Sequence, residues 1–188
     1  MPTYTLTRRQ LIGSLSVSLA STVWPASSAL GTPVAGTQTS DSSPLPAEVL
    51  PKTVRSRFLS DVNGLRMHVL EAGFETPDRP GVLLVHGFPE LAFSWRRIMP
   101  GLAAAGYHVI APDLRGYGRT DGSDITYDSD LRPYRMMNEI RDMLGLVSAF
   151  GYRRINLIGH DFGALVASWC AVARPDIFRS VVLMSAPF

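Results

Sequence analysis

Four short apolar runs, at 82–85, 107–111, 155–158 and 180–184, alternate along this chain with segments of helical periodicity. Val82-Leu83-Leu84-Val85 contains no polar position, as expected of a strand covered on both faces. The intervening segments 94–105, 134–150 and 162–173 carry the helical pattern and stop at Gly106, at Gly151 and just before Pro175. Strand and helix alternating at this spacing predict an α/β fold, a mostly parallel sheet with right-handed crossovers and helices on both faces. Two earlier strands, 53–60 and 65–71, flank Asp61-Val62-Asn63-Gly64, where Asn-Gly supplies the positive φ of a hairpin turn. They predict an antiparallel start to the sheet.

With 188 residues and 46% hydrophobic content, the chain has room for one domain with a core. Its first 29 residues are of another kind. Thr7-Arg8-Arg9-Gln10 precedes a short apolar run, 11–20, interrupted by glycine and serines, and Ser27-Ser28-Ala29 offers small residues for cleavage. Basic, apolar and small-residue parts in this order resemble a twin-arginine export signal cut after Ala29, which implies an exported product, periplasmic or secreted. The alternative is a slightly basic unstructured tail. The apolar run is too short and too rich in serine for a stable membrane span. Residues 30–52 are dominated by Ser, Thr, Pro, Gly and Ala and read as a linker, which leaves 53–188 for the folded part.

The formal net charge of +2 is accounted for by Arg8 and Arg9, so the remainder is neutral and has no basic stripe for nucleic acid. Cys170, the single cysteine, excludes an internal disulfide; on an apolar helix with no cation near it in sequence, it reads as a small buried side chain. No spacing of Cys, His, Asp or Glu suggests a metal site.

The chemistry concentrates at Leu157-Ile158-Gly159-His160-Asp161-Phe162-Gly163-Ala164. Asp161 follows a buried strand and opens a helix, the context of a nucleophile elbow with aspartate in place of serine. Gly159 and Gly163 are small where a tight strand-to-helix turn leaves no space, and the helix N-terminus favours the ionised carboxyl. Asp161 also suits the N-cap of that helix, and the two roles are compatible. A second motif, His86-Gly87-Phe88-Pro89-Glu90, follows the strand at 82–85, where a backbone N–H can join that of the residue after the nucleophile in an oxyanion hole.

These two motifs, with Asp113-Leu114-Arg115-Gly116-Tyr117-Gly118-Arg119-Thr120 between them, resemble the α/β-hydrolase superfamily, and most closely its epoxide hydrolases and their dehalogenase relatives. The resemblance implies that Asp161 attacks an epoxide carbon to give an alkyl-enzyme ester, which a histidine-activated water then hydrolyses. It implies an oxyanion hole made by the N–H groups of Phe88 and Phe162, a cis-proline turn at Phe88-Pro89, motif support from Gly159, Gly163, His86, Gly87 and Pro89, and no metal or organic cofactor. His86 and His160 match positions that are structural in the family. Phenylalanine stands at 88 and 162, where many haloalkane dehalogenases carry asparagine and tryptophan, so an epoxide is preferred over an alkyl halide as the small-molecule substrate. Trp95 and Trp169 are expected in the core, and Asp113 is expected to fix its loop by hydrogen bonds.

No histidine follows Asp161, and Asp176 is the only acid beyond it. By resemblance the chain is truncated before the cap domain, which carries the tyrosines, and before the final strands, which carry the acid and base. The expectation is an N-terminal portion with an exposed apolar strand at 180–184 and no turnover alone. A complementing C-terminal half or a non-catalytic remnant are the alternatives.

Overall fold

The computed structural model describes residues 43–122 and 127–185. The signal-like segment 1–29 and most of the linker lie outside the described residues. The chain forms β1 (Val54–Val62), β2 (Leu65–Ala72), β3 (Gly81–Val85), α1 (Met99–Ala104), β4 (His108–Pro112), α2 (Met136–Ala149), β5 (Ile155–His160), α3 (Phe162–Ala173) and β6 (Phe178–Met184). The sheet order is β1-β2-β4-β3-β5-β6. β1, β2 and β4 pair antiparallel, while β4, β3, β5 and β6 pair parallel.

The hairpin forms as its turn residues dictate: Asn63 and Gly64 take φ of 52° and 79°, the left-handed pair a two-residue turn needs. β1 runs past its expected end at residue 60 because the register shifts between Leu59 and Val62, with Asp61 at φ 60°. Alternation along the inner strands sorts their side chains into two cores. Met67, Val69, Leu83, Val85, Ile110, Ile155 and Leu157 face α2 and α3 on one side. Leu70, Ala72, Val82, Leu84, Val109 and Ala111 face Trp95, Met99 and Ala103 on the other. Each fully buried Leu or Ile in these layers contributes about 1.5–3 kcal/mol.

Four expectations are corrected. The helix expected at 94–105 divides into a 3-10 turn, Ala92–Arg97, and the short α1. Pro100 has no N–H to continue a helix from the preceding turn, and instead occupies the first turn of a new one. The helix expected from 134 starts at Met136, after a 3-10 turn over Arg132–Tyr134 that contains Pro133. The linker reading fails at its described end: Ala47–Val49 form a 3-10 turn, and Leu50 is buried in the second core. Trp95 is buried, but Trp169 is 49% exposed, on the face of α3 that turns away from the sheet.

The two sheet edges differ. On β1, Arg55 and Arg57 lie over the rings of Phe74 and Phe150 and both donate to Glu71, so the edge is charged. Burial alone would raise the Glu71 carboxyl, but hydrogen bonds from His108, Arg55 and Arg57 outweigh it and bring the pKa down to about 2. β6, at the other edge, leaves Val182, Leu183 and Met184 exposed, as the sequence predicts. Among the described residues, no helix is long and apolar enough to cross a membrane.

Candidate active site

β3 and β5 are adjacent parallel strands, paired from Val82↔Asn156 to Val85↔Gly159, so the turns that follow them emerge side by side. Asp161 sits at the tip of the second turn with φ 51° and ψ −121°, a conformation that side-chain-bearing residues rarely adopt. The neighbours enforce it. A Cβ on Gly159 would fall onto the backbone of Gly163 and Ala164, and one on Gly163 onto the carbonyls of Val85 and His86. These glycines let helix α3 start directly against the ends of two strands. The Asp161 backbone is pinned as well: its N–H donates to Met184 O at 2.9 Å, and its carbonyl accepts from Ala164 N at 2.9 Å.

Asp161 occupies the N-cap position of α3, yet its side chain makes no capping bond into the helix beyond the first N–H. Its Oδ1 accepts from the Phe88 N–H at 3.0 Å, and the carboxylate also accepts from the Phe162 N–H. These two donors, Phe88 first, hold the carboxyl below the usual aspartate range. The Phe88-Pro89 peptide is cis, and Glu90 N–H closes the turn onto Gly87 O at 2.9 Å. Gly87 has a packing reason that its motif alone does not reveal: a Cβ there would lie 2.5 Å from the Asp161 Cβ and 2.9 Å from Oδ1. The two motifs thus meet at Asp161, with Oδ1 engaged by the Phe88 N–H and the Phe162 N–H also directed at the carboxylate.

None of the four histidines is hydrogen-bonded to that carboxylate. His86 is fully buried, its Nδ1 against Gly87 O at 2.9 Å and its Nε2 accepting from Leu114 N–H at 3.0 Å; burial lowers its pKa. His160 pairs through Nδ1 with Glu90 Oε2 at 3.1 Å and so ties the two turns together. His68 faces Asp113, and His108 lies between Glu71 and Tyr152. The Glu90–His160 contact is the part of the site that sequence reading missed; its signal was a glutamate directly after the proline of the second motif.

The loop after β4 is held as expected. Asp113 accepts from Ala92 N–H at 2.9 Å and Arg119 N–H at 3.0 Å, as well as contacting His68. Arg115 makes a buried two-pronged contact with Asp142 on α2, at 2.8 and 2.6 Å, and Asn63 of the hairpin turn donates to the same carboxylate at 2.6 Å. A groove of about 800 Å³ lies at the other end of the sheet, beside Tyr152, Arg154 and Arg174. There Arg154 donates to the Asp176 carbonyl and Arg174 to the Asp176 carboxylate, at the end of β5 away from Asp161. Cys170 is buried, and its thiol is pushed up to about 12, chiefly by that burial.

The sequence profile of the alpha/beta hydrolase fold matches residues 80–188. Epoxide hydrolase A of Mycobacterium tuberculosis is 42% identical over 129 residues, which cover 69% of this chain and 38% of that protein. An epoxide hydrolase of Caballeronia sordidicola is 41% identical over 126 residues, 67% of this chain and 36% of that protein. Among solved structures, an epoxide hydrolase from an endophytic Streptomyces superposes with a TM-score of 0.65 at 40% identity, covering 73% of this chain and 39% of its own. One from Vigna radiata gives 0.64 at 36% identity, over 73% and 42%. The chain therefore spans well under half the length of the relatives it matches. The chain belongs to the α/β-hydrolase family and, within it, to the epoxide-hydrolase-like branch.

Proposed function

We propose that this chain carries the alkylation half of epoxide hydrolysis, with Asp161 as nucleophile. The observation that supports this most directly is the unequal treatment of the two carboxylate oxygens: Oδ1 is held by Phe88 N–H, which leaves Oδ2 to attack. In the proposed step Oδ2 bonds to an epoxide carbon, the ring C–O bond breaks, and the ring oxygen takes a proton from water. The product is a hydroxyalkyl ester of Asp161. When water later attacks that ester, charge collects on Oδ1, which the Phe88 N–H already contacts at 3.0 Å, and the Phe162 N–H at the start of α3 is the proposed second donor. No metal or organic cofactor enters either step.

The second step needs a base, and this chain supplies none at Oδ2: its histidines are all committed elsewhere. The proposed role is therefore stoichiometric, with the activating histidine contributed by further polypeptide. Incubation with styrene oxide gives one hydroxyalkyl group on Asp161, read by peptide mass mapping, no sustained diol release, and no adduct in Asp161→Asn. Because the hydrogen-bonded carboxyl stays ionised below the usual range, labelling persists at pH values where an ordinary aspartate is protonated. An alkyl bromide tests the dehalogenase alternative: bromide release with alkylated Asp161, and no epoxide adduct, would overturn the reading in its favour. Sustained diol formation by this chain would overturn the stoichiometric role.

Export belongs to the same proposal. Residues 1–29 fused to a reporter direct it across the inner membrane of a bacterium, and replacement of Arg8 and Arg9 by lysine stops the transfer; a reporter that stays inside in both cases rules this out.

A further inference from the structure

Away from Asp161, Ser56 on β1, His68 on β2 and Asp113 at the end of β4 form a single hydrogen-bonded row. His68 Nδ1 lies 2.8 Å from Asp113 Oδ2, and His68 Nε2 lies 2.7 Å from Ser56 Oγ. Asp113 is engaged on both oxygens: Ala92 N–H donates to Oδ1, and Arg119 N–H shares Oδ2 with His68. Burial alone would raise the Asp113 carboxyl, but these hydrogen bonds hold it below the usual range. A carboxylate only accepts, so His68 Nδ1 carries the hydrogen, and in the neutral imidazole Nε2 is then an acceptor. The Ser56 hydroxyl must donate to it. Leu45 N–H donates to Ser56 Oγ at 2.8 Å, which leaves the oxygen one lone pair.

This is the connectivity of a serine nucleophile, its imidazole base and the carboxylate that orients the base. The two supporting groups are buried, 1% and 2% exposed, whereas Ser56 is only half-buried. Next to His68 and Asp113 lies a cavity of about 280 Å³, lined also by Leu45, Val49, Leu91, Phe93 and Arg119; Ser56 adjoins it through Leu45, whose N–H its hydroxyl accepts. Its walls are mainly apolar, and its size falls near the lower end of ligand cavities, about 300–1,000 Å³. An acyl chain of a few carbons suits it, and a bulky group does not.

We propose that Ser56 is an activated serine that accepts acyl groups from small esters with short apolar acyl chains. Ser56 Oγ bonds to the acyl carbon while its proton passes to His68 Nε2. The ester C–O bond breaks, and His68 returns the proton to the departing alkoxide. Asp113 stabilises the imidazolium between these events. The site is separate from Asp161, since β3 lies between β4 and β5 in the sheet, and it does not depend on the epoxide reading.

The test uses the whole chain and p-nitrophenyl butyrate at neutral pH, with adducts located by peptide mapping. The expected result is a butyryl ester on Ser56, formed at least about 100-fold faster than in the same chain unfolded in urea, the factor a positioned base supplies. Ser56→Ala loses the adduct and keeps styrene oxide labelling of Asp161. His68→Gln, if folded by circular dichroism, keeps Ser56 but loses the acceleration. A folded wild-type chain with no ester on Ser56, equal rates in the folded and urea-unfolded chain, or full acceleration in folded His68→Gln would each overturn the proposal.

Discussion

Replacing Arg115 with leucine lowers the unfolding free energy by about 3–5 kcal/mol, the cost of leaving a buried charge without its partner. Both members of the pair are buried, with side-chain exposures of 8% for Arg115 and 0% for Asp142. Burial pushes the Asp142 carboxyl up even with the guanidinium and Asn63 bound to it, so the pair gains little beyond offsetting its own desolvation. Removing Arg115 removes the larger of those compensations. The pH dependence follows in sign. In the variant the native carboxyl rises further above its unfolded value, so its cost is full at high pH and eases as pH falls and the group takes a proton. Urea denaturation at pH 8 and pH 5 measures both effects. Equal midpoints for the variant and the parent chain at pH 8 would show that Asp142 is not held by this contact.

The opposite result is expected for Glu139, one turn before Asp142 on α2. It is 3% exposed, and its Oε2 has no hydrogen-bond partner. Burial first, and the charge of Asp142 second, raise its pKa from 4.5 to about 7, against a smaller opposing effect of Arg115. A carboxyl whose native pKa is raised binds its proton more tightly folded than unfolded. The chain therefore loses stability as pH rises from about 4.5 to about 7, and the whole penalty is present above that window. At roughly 1.4 kcal/mol for each pKa step, the penalty is about 3 kcal/mol. Glu139→Leu removes the group from a helix face already packed with Ile140, Met143 and Leu146 as neighbours in the core. The variant gains about 3 kcal/mol at pH 8 and little at pH 4.5, seen as a raised thermal midpoint only at the higher pH. A gain of the same size at both pH values would point to apolar packing alone.

The parts of the molecule that are legible in the sequence are those specified within a few residues. Asn63-Gly64 announces its turn, and Gly159 and Gly163 announce the close approach around Asp161. The unbroken apolar run at 82–85 announces a strand covered on both faces. Pro100 should have divided the helix expected at 94–105, since a missing N–H is a local fact; the apolar spacing on either side of it conceals the break. Trp169 shows the limit of spacing in another way. Period alone does not say which of two apolar faces on α3 meets the sheet, and both its faces are apolar enough to qualify. Arg115–Asp142 joins residues 27 apart, Asn63–Asp142 joins residues 79 apart, and His68–Asp113 residues 45 apart. Such pairings leave no periodic trace, because each partner is an ordinary polar residue until the fold brings the other to it. The candidate nucleophile is legible for the converse reason: its unusual backbone demands a pattern of small neighbours that is contiguous in the chain.

The hydrogen bond from Phe88 to Asp161 spans 73 residues. A ribosome adds about 5–20 residues each second. The turn that offers the Phe88 N–H is therefore complete roughly 4–15 s before the aspartate it serves has been made. Early in that interval β3 has neither neighbour, and once β4 is made its Val82–Val85 run still lacks β5 along one edge in the nascent chain. The site is thus the last part of the described sheet's centre to come together, and its assembly in the cell is timed by translation and not by chain diffusion.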